Sequence, residues 1–343
     1  MAGMRQFLWS LIDLSGTASR KRGWIVFGLW VLALLLVELL KLNGSPLRDL
    51  ALVPVTIATI AFFAVLVQRL HDAGRSGYWV LLALVPVAGL VAVITILCLA
   101  QQEARSPGHP TARRIGAVAL IAYGFFGLSR AFLWEPFWIP AESMKPALLV
   151  GDFLIATKIT TGDIARGDIV VFRHPAQEFD YIKRVLGLPG DRIQLREGVV
   201  LINGTAVRLE AAGVFEEVFE PQGSMRNMPR CENRAVGLGE ICKKSRFVET
   251  LPEGRQYDIL NIDADGLADN TDVFTVPEGH YFMLGDNRDN SADSRFDVTT
   301  GGLGFVPAEN IRARASVILF SSAGRSLFYF WTWRADRFFK AIE

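Results

Sequence analysis

Four long apolar segments lie within the first 134 residues and limit what this part of the chain can fold into. They are Trp24–Leu40, Leu50–Val67, Tyr78–Ala100 and Ile115–Trp134. Each is close to the ~20 residues that an α-helix needs to cross a bilayer. Hydrophobic residues make up 51% of the 343 residues, and most of the excess falls in this part of the chain. The sequence therefore predicts a multi-pass helical membrane region rather than an unusually apolar soluble core.

Basic residues around these segments give conflicting indications of orientation. Arg105, Arg113 and Arg114 precede the last segment and place that linker in the cytoplasm, because cytoplasmic loops are enriched in Lys and Arg. The last segment would then emerge on the outer face. The run Arg20–Arg22 also favours the cytoplasm, but a chain with four spans cannot place both basic runs there. Either one segment is re-entrant, or the amino terminus lies outside. No cleavable targeting peptide is expected, because the apolar run from Trp24 is too long for one.

Two motifs in this region resemble an uncharacterised small integral-membrane domain of bacteria. They are "GTASRKRGWIVF" (Gly16–Phe27) and "QRLHDAGRSGYWVLLALVPVAGL" (Gln68–Leu90), and the resemblance covers roughly residues 5–105. That family has no assigned chemistry. Three polar residues in the loop suit either an interfacial structural turn or a site for a lipid head group or a metal: His71, Asp72 and Arg75.

From Gly151 onward the pattern changes to short β-branched runs with turn signals, which is typical of an all-β domain. The runs that predict strands are "DFLIATKI", "DIVVFRH", "DYIKRVLGL", "GVVLINGTAV", "HYFMLGDN" and "ASVILFS". Asn203-Gly204 marks the turn of a hairpin in the fourth run. Residues 210–270 predict a less regular insertion. The aromatic and basic segment 326–343 predicts an amphipathic element at the membrane surface or a helix packed on the domain.

Charge and cysteine content exclude two classes of protein. The 36 Lys and Arg residues nearly balance the 35 Asp and Glu residues, which argues against a general nucleic-acid footprint. The three cysteines are too few for a disulfide-built scaffold. Cys98 lies in an apolar segment, whereas Cys231 and Cys242 lie close together in the polar half. They predict a single disulfide if that half is outside the cytoplasm.

A candidate nucleophile, Ser143, lies between two prolines in "WIPAESMKPALLVGD", directly after the last apolar segment. Taken alone, such a serine is ordinarily a turn residue. The sequence contains no G-x-S-x-G elbow, no H-E-x-x-H and no paired C-x-x-C motif. A triad of Ser143 with His174 or His280 and Asp286 is compatible with the spacing, since triads are recognised by geometry. Each histidine lies at a strand edge, where a solvated or capping role is the ordinary expectation.

A lysine in its neutral form is the other base that can activate a serine. Free lysine has a pKa of about 10.4, and lowering it to about 8 takes roughly 3–4 kcal/mol of desolvation and neighbouring charge. In "DYIKRVLGLPGD", strand alternation places Lys183 on one face and Arg184 on the other, with apolar neighbours on both. The pattern therefore does not choose between them. Because arginine keeps its proton at accessible pH, only Lys183 can be a base.

Residues 128–343 resemble the bacterial type I signal peptidases. Four motifs carry the resemblance: "SRAFLWEPFWIPAESMKPALLVGD", "DYIKRVLGLPGD", "GDNRDNSADSR" and "GLGFVPAENIRARA". It implies a mainly-β signal-peptidase-like fold with a Ser–Lys dyad, in which Ser143 is the nucleophile, Lys183 the general base and Ser291 the residue that orients the lysine. The further residues that it implies shape the site are Asp286, Asn287, Asp293 and Arg295, the last two as an ion pair.

Ala141 departs from the pattern of that family, in which many members have a serine two positions before the nucleophile. The hydroxyl of that serine helps to hold the oxyanion, and alanine has no such donor. The oxyanion hole is therefore expected to rely on backbone N–H groups, beginning with that of Ser143. An ionised Glu142 is expected to repel the developing negative charge.

Two acidic stretches have calcium binding as an alternative. The stretch Asp289-x-Ser291-x-Asp293 lacks the glycine that a calcium loop has at its sixth position. A better match begins at Asn261 and continues through Asp263 and Asp265-Gly266, but it has no helical flanks. The expectation is a protein without metal or cofactor.

These features, with the resemblance, predict a membrane-bound serine endopeptidase that removes signal peptides from exported preproteins, with small residues at substrate positions −1 and −3. The expected parts are an integral-membrane domain (1–105), a basic linker with the final span (106–134) and a protease domain (135–343) with an insertion at about 205–275. The expected location is the bacterial inner membrane, with the catalytic domain on the outer face. Expected partners are preproteins, membrane lipid and the export machinery, without nucleic acid. The alternatives are a self-cleaving Ser–Lys regulator and a catalytically inactive membrane scaffold.

Overall fold

The computed structural model describes residues 14, 18–42, 47, 50–84, 88–99, 110–158, 164–223, 225–324 and 329–342. The chain divides into two compact units, Met1–Leu133 and Trp134–Glu343. The first unit is helical over its described residues, and the second is mainly β.

The helical unit contains long helices where the first two and the fourth apolar segments predict them. The α-helices are α1 (Arg20–Leu42), α2 (Leu52–Asp72), α3 (Ala88–Cys98) and α4 (Pro110–Phe132), and a 3₁₀ helix covers Gly77–Leu84. In the part of the chain that the structure describes, two helical stretches are long and apolar enough to cross a membrane, Arg20–Leu40 and Leu52–Asp72. The prediction of a multi-pass region is therefore supported only in part.

The third apolar segment, Tyr78–Ala100, was predicted to be one spanning helix, and this prediction is wrong. The segment is divided between the 3₁₀ helix and α3, and α3 has only 11 residues. The sequence between them contains Pro86, which cannot donate the backbone hydrogen bond of a continuing helix. An 11-residue helix is too short to cross the hydrocarbon core.

The helical unit packs around α2. Trp30 of α1 stacks on Phe62 of α2, with ring centroids 4.6 Å apart. Near the end of α2, the buried Arg69 forms an ion pair with Asp72 and donates to the carbonyl oxygen of Ala18 at 3.0 Å. Asp72 thus has a structural partner, which favours the turn interpretation of this loop over a lipid or metal site.

The second unit is built from antiparallel strands in three sheets. The strands are β1 (Trp134–Trp138), β2 (Asp152–Lys158), β3 (Ile169–Arg173), β4 (Asp180–Gly187), β5 (Arg192–Arg196), β6 (Val199–Ile202), β7 (Thr205–Ala206), β8 (Arg208–Val218), β9 (Ile241–Thr250), β10 (Gln256–Asn261), β11 (Phe274–Thr275), β12 (His280–Leu284), β13 (Val306–Pro307), β14 (Ile311–Ser321) and β15 (Lys340–Ala341). The largest sheet has the order β1-β2-β14-β3-β4-β12-β13, with β15 paired to β14. The smaller sheets have the orders β11-β5-β6-β7 and β10-β9-β8.

The strands predicted from alternation are present, and the mainly-β fold of this unit is confirmed. The hairpin β6–β7 turns at Asn203 and Gly204, whose φ angles of 54° and 85° lie in the left-handed region. Asn and Gly tolerate this conformation, which a two-residue hairpin turn of type I′ requires. Local sequence therefore determines this turn.

The prediction of an irregular insertion is wrong, and one of the two alternatives for the last segment is also wrong. Residues 210–270 contain the regular sheet β10-β9-β8, in which the 11-residue strand β8 is exposed along most of its length. A strand with little burial lacks the apolar alternation by which strands are recognised, so its sequence looks irregular. The described part of segment 326–343 contains two short 3₁₀ turns and β15, so the alternative of a helix packed on the domain is wrong. The alternative of an element at the membrane surface stays a prediction.

The sheet core fixes the segment that follows β1. Met144 and Leu148 are buried in a cluster with Leu154 of β2 and Val171 of β3. Met144 and Leu148 follow Ser143 in the chain, and their burial removes apolar surface from water. The hydrophobic effect therefore holds this segment against the sheet.

Candidate active site

Ser143 lies in a loop that leaves the large sheet after β1 and returns to it at β2. The loop is closed at its base by hydrogen bonds from Ile139 N–H to Asp152 O and from Gly151 N–H to Ile139 O, both 2.9 Å long. Inside the loop, the Ser143 carbonyl oxygen accepts a hydrogen bond of 3.0 Å from Asn287 N–H. The serine is thus fixed by its backbone to a second loop far along the chain.

Lys183 lies in β4, where it pairs with Val170 of β3. Its side chain is 2% exposed, and its Nζ lies 2.5 Å from Ser143 Oγ. Strand alternation alone did not distinguish Lys183 from Arg184 as the residue that faces the site, and both are buried in the structure. Lys183 is the one whose ammonium group reaches the serine hydroxyl.

The surroundings of Lys183 favour its neutral form. Burial lowers the pKa of Lys183 to about 8, although the charges of Asp293 and Asp286 act in the opposite direction. No described carboxylate forms an ion pair with this lysine, so nothing fully offsets the cost of burying its charge. With a pKa of about 8, roughly a tenth of the lysines are neutral at pH 7.

The two carboxylates nearest to Lys183 are each bound to an arginine. Asp286 binds Arg184 through two hydrogen bonds of 2.8 Å, and both side chains are buried. Asp293 binds Arg295 through Nε at 2.8 Å and Nη2 at 2.9 Å, and it also accepts a hydrogen bond from Gly285 N–H at 3.1 Å. Because each carboxylate is bound to an arginine, neither is a close partner of Lys183.

Asn287 and Ser291 lie in the same loop as these aspartates. The side chain of Asn287 donates to the Glu142 carbonyl oxygen at 3.2 Å, and its backbone N–H binds Ser143 as described above. Ser291 Oγ is buried and has no hydrogen-bond partner among the described residues, so no hydrogen bond joins it to Lys183. A Cβ atom at Gly285 would lie only 2.6 Å from the Ser143 carbonyl oxygen, and it would also contact Ser291 Oγ. Glycine therefore allows the two loops to approach each other closely.

Lys145 is a second buried lysine beside the nucleophile, and sequence reasoning missed it. Its side chain is 1% exposed. Its Nζ donates to Glu142 Oε1 at 2.7 Å, to Glu217 Oε2 at 2.6 Å and to Gln222 Oε1 at 2.8 Å. All three N–H donors of the ammonium group are thus used, and no lone pair is free to accept a proton. Its position two residues after Ser143 was the only signal in the sequence, because Glu217 lies 72 residues away.

The oxyanion side of the site is consistent with a backbone donor. Ala141 is exposed and has no donor in its side chain, and among the described residues the Ser143 N–H donates no hydrogen bond. The expectation that Glu142 would repel the developing charge needs correction. The Glu142 carboxylate accepts hydrogen bonds from Lys145 and, at 2.9 Å, from Asn290, so its charge is compensated locally.

Neither histidine of the polar half forms a triad. His174 accepts a hydrogen bond of 3.0 Å from Ala176 N–H at Nδ1, and its ring lies 4.8 Å from that of Tyr181. Burial lowers the pKa of His174. The His280 ring nitrogen lies 2.9 Å from the Glu278 carbonyl oxygen. Since Asp286 is bound to Arg184, the third member of the alternative triad is also occupied.

The remaining candidate residues have structural partners. Cys231 and Cys242 form a disulfide with Cα atoms 5.2 Å apart. In the alternative calcium stretches, Asp289 accepts hydrogen bonds from Ile262 N–H at 2.8 Å and Asp263 N–H at 3.0 Å. Among the described residues, no group of three or more His, Cys, Asp and Glu side chains is placed to hold a metal ion.

Comparison with known proteins gives two family matches. The family described as "Signal peptidase, peptidase S26" matches residues 112–320, and the family described as "Protein of unknown function (DUF805)" matches residues 11–107. The chain is 37% identical over 224 residues to a signal peptidase I of Rickettsia canadensis (strain McKiel), covering 57% of this chain and 75% of the relative. It is 38% identical over 224 residues to a signal peptidase I of Rickettsia massiliae (strain Mtu5), covering 57% of this chain and 74% of the relative.

Among solved structures, a signal peptidase I from Enterococcus faecalis V583 is 24% identical and covers 44% of this chain and 96% of its own, with a TM-score of 0.23. A superposition this loose says nothing about the geometry of the site.

Proposed function

Because the chain belongs to the peptidase S26 family of signal peptidases, we propose that Ser143 and Lys183 are the catalytic dyad of its peptidase activity. The protein is a serine endopeptidase that cleaves signal peptides from exported preproteins at the membrane. The observation that supports the assignment of the dyad is the distance of 2.5 Å between Lys183 Nζ and Ser143 Oγ, in a buried site where no described carboxylate forms an ion pair with the lysine.

The chemistry proceeds in two stages. Neutral Lys183 takes the proton of Ser143 Oγ while this oxygen attacks the scissile carbonyl carbon, and the Ser143 N–H donates to the oxyanion that forms. The protonated lysine then gives its proton to the leaving amine, and an acyl-enzyme remains on Ser143. Water attacks this ester with Lys183 again as base, which releases the cleaved signal peptide and the free serine.

The surrounding residues act by positioning. The ion pairs of Asp293 with Arg295 and of Asp286 with Arg184 keep two negative charges near Lys183 without direct bonds to it. Asn287 holds the backbone of the serine loop. Ser291 Oγ is buried and has no hydrogen-bond partner among the described residues. We assign it the orienting role of accepting an N–H from Lys183 once that side chain turns from Ser143.

The cellular arrangement is part of the same proposal. Residues 1–105 form a membrane domain with more than one span, 106–134 a cytoplasmic linker with the final span, and 135–343 a protease domain on the outer face of the inner membrane. This orientation follows from the basic linker, and it brings Ser143 close to substrates that are still tethered in the membrane. Membrane lipid and the export machinery are the proposed partners besides the preprotein, and small residues at −1 and −3 are the proposed preference.

The dyad is tested by cleavage of a purified preprotein with the full chain in detergent. We expect Ser143→Ala and Lys183→Ala each to abolish cleavage, and the double variant to be hardly worse than either, because residues that act as a unit lose activity non-additively. His174→Ala and His280→Ala serve as controls and should keep most of the activity. Near-normal cleavage by Lys183→Ala would contradict the assignment of the base.

The same assay separates the alternative functions. A self-cleaving regulator would cut only its own chain and leave an added preprotein intact. An inactive scaffold would cut neither. Cleavage of the added preprotein that depends on Ser143 excludes both.

A further inference from the structure

The buried charges around Lys145 form one cluster that joins the nucleophile loop to the exposed sheet β10-β9-β8. The acidic members are Glu142 and Glu217, and the basic members are Lys145 and Lys244. Two negative and two positive charges balance, which is a condition for burying such groups at tolerable cost. Lys145 and Lys244 are 1% and 0% exposed. The cluster shares no side chain with the proposed dyad.

Glu217 is the central member of this cluster. Its Oε2 accepts from Lys145 Nζ at 2.6 Å and from Gln222 Nε2 at 2.7 Å, and its Oε1 accepts from Lys244 Nζ at 2.5 Å. Burial by itself would raise the pKa of Glu217, but the charges of Lys145 and Lys244 hold it below its usual value. The carboxylate is therefore ionised at neutral pH and binds both lysines.

The strand pairing of β8 with β9 fixes where Glu217 lies. Glu217 is opposite Cys242 in the register, and Lys244 is two residues further along β9. Residues at this diagonal spacing on one face of a sheet are close enough for long side chains to meet. Cys242 is fully buried and linked to Cys231. The position of Glu217 is thus set by the sheet and by a covalent bond next to it.

Through Lys145, this carboxylate acts on the loop that carries Ser143. Glu142 and Lys145 are bridged by their side chains at 2.7 Å and by the hydrogen bond of Lys145 N–H to Glu142 O at 3.0 Å, with Ser143 between them. On the other side, Asn287 binds the carbonyl oxygens of Glu142 and Ser143. The loop that carries Ser143 is therefore held from two sides. Asn287 binds its backbone carbonyl oxygens, and Glu217 binds it through the side chain of Lys145.

We propose that Glu217 is a positioning residue for the reaction. By binding Lys145, it holds the turn from Glu142 to Lys145 in the position in which Ser143 Oγ contacts Lys183 Nζ. This inference rests on Ser143 being the nucleophile. The Ser143 hydroxyl and N–H are both used in the transition state, and a misplacement of about 1 Å can cost about 100-fold in rate. Loss of Glu217 therefore lowers kcat, while KM, set by substrate contacts elsewhere, changes little.

The test compares Glu217→Gln and Lys145→Met with control variants of the same chemistry on β8 and β9. Glu216 and Lys243 are neighbours of the cluster members in sequence, are exposed and form a pair at 3.4 Å, so Glu216→Gln and Lys243→Met are the controls. With the full chain in detergent and a synthetic preprotein, we expect Glu217→Gln and Lys145→Met to lower kcat about 10- to 100-fold, with KM within about twofold. The controls should match the unmodified protein.

Two further readouts separate positioning from a general loss of structure. In a plot of kcat/KM against pH, the apparent pKa of the acid limb should be the same as in the unmodified protein, because Lys183 and its neighbours are unchanged. The double variant Lys145→Met with Glu217→Gln should be no slower than the worse single variant, since both changes break the same contact between Lys145 and Glu217. A variant that merely unfolds would lose active molecules in proportion to its folded fraction and would show normal kcat per folded molecule.

Three results would overturn the proposal: wild-type kcat in Glu217→Gln, an equal loss in Glu216→Gln, or a loss that follows the folded fraction alone. If Glu217→Gln does not fold, Glu217→Asp keeps the negative charge but shortens the side chain, so that it no longer reaches Lys145 Nζ at 2.6 Å. An unchanged kcat in Glu217→Asp would overturn the proposal as well. Ser143→Ala identifies the source of a failure. If it remains active, the proposed dyad is wrong; if it is inactive while Glu217→Gln is normal, only the positioning role is wrong.

Discussion

Lys183 and Lys145 are both almost completely buried beside Ser143, yet their surroundings differ. Lys183 Nζ meets a serine hydroxyl and forms no ion pair with a described residue, whereas Lys145 Nζ binds two carboxylates and an amide oxygen. Burial removes both from water, but only Lys145 gains opposite charges at contact distance. This difference is the reason for proposing Lys183 rather than Lys145 as the base, because burial disfavours the charged form of a lysine most where no counter-charge is in contact with it.

The largest expected effect is on stability and has opposite signs at the two lysines. Lys145→Met should lower the free energy of unfolding by about 3–5 kcal/mol, because Glu142 and Glu217 lose their shared counter-charge. Lys183→Met should raise it at pH 7 by up to about 3 kcal/mol, less any packing that is lost. Denaturant unfolding of the full chain in detergent, with the folded signal taken from the β unit, measures both.

The sign for Lys183 follows from proton linkage. Its pKa is about 8 in the folded protein and 10.5 in the ordinary state, so the unfolded chain binds more protons between these values. Stability therefore rises with pH through that window, and the full cost of burying the charge is present below pH 8. A Lys183→Met variant that is less stable than the unmodified protein at pH 7 would contradict this account.

The next effect is on the pH dependence of cleavage, which should depend on Lys183 and not on Lys145. We expect kcat/KM to show an acid limb with an apparent pKa near 8, so that two pH units below it cost about 100-fold in rate. The limb should remain in Lys145→Met and in His174→Ala. It should move to lower pH in Asp293→Asn, because the Asp293 charge raises the pKa of Lys183 against the effect of burial.

Steady-state cleavage between pH 5 and 10 measures the limb. A limb near 6.5 that disappears in a histidine variant would favour the triad that we reject.

The disulfide should affect the surroundings of Lys145 but not those of Lys183. Replacing Cys231 and Cys242 by serine should lower the free energy of unfolding by about 2 to 3 kcal/mol, because the unfolded chain is no longer constrained by this loop. Since Cys242 lies opposite Glu217, we also expect a modest fall in kcat with the acid limb unmoved. Mass spectrometry of non-reduced peptides from membrane-matured protein checks the bond, and finding both thiols free there would remove this prediction.

The smallest expected effect concerns the donor that Ala141 lacks. Ala141→Ser should raise kcat by up to roughly tenfold with little change in KM, because a hydroxyl bond to the oxyanion forms only in the transition state. The exposure of Ala141 leaves room for the added oxygen. Cleavage kinetics of both forms measure the change, and a lower kcat would mean that the hydroxyl cannot point to the oxyanion.

Patterns between residues that are close in the chain predicted well. Alternation predicted the strands that carry and flank the site, and Asn203-Gly204 predicted its hairpin turn. The apolar run Tyr78–Ala100 was misleading, because its length is that of a span but its helix is interrupted. The sheet of residues 210–270 was missed because exposed strands carry no apolar alternation.

The sequence by itself determined that this chain has an apolar helical part and a mainly-β part. It also determined that, of Lys183 and Arg184 in the run "DYIKRVLGLPGD", only the lysine can give up its proton. These conclusions depend on local periodicity and on the intrinsic chemistry of each side chain. Only the tertiary structure decided that Lys183 is the lysine without a counter-charge and that Lys145 is the paired one. The protonation of a buried lysine depends on the charges that the fold brings near it, and Glu217, which binds Lys145, is 72 residues away in the chain.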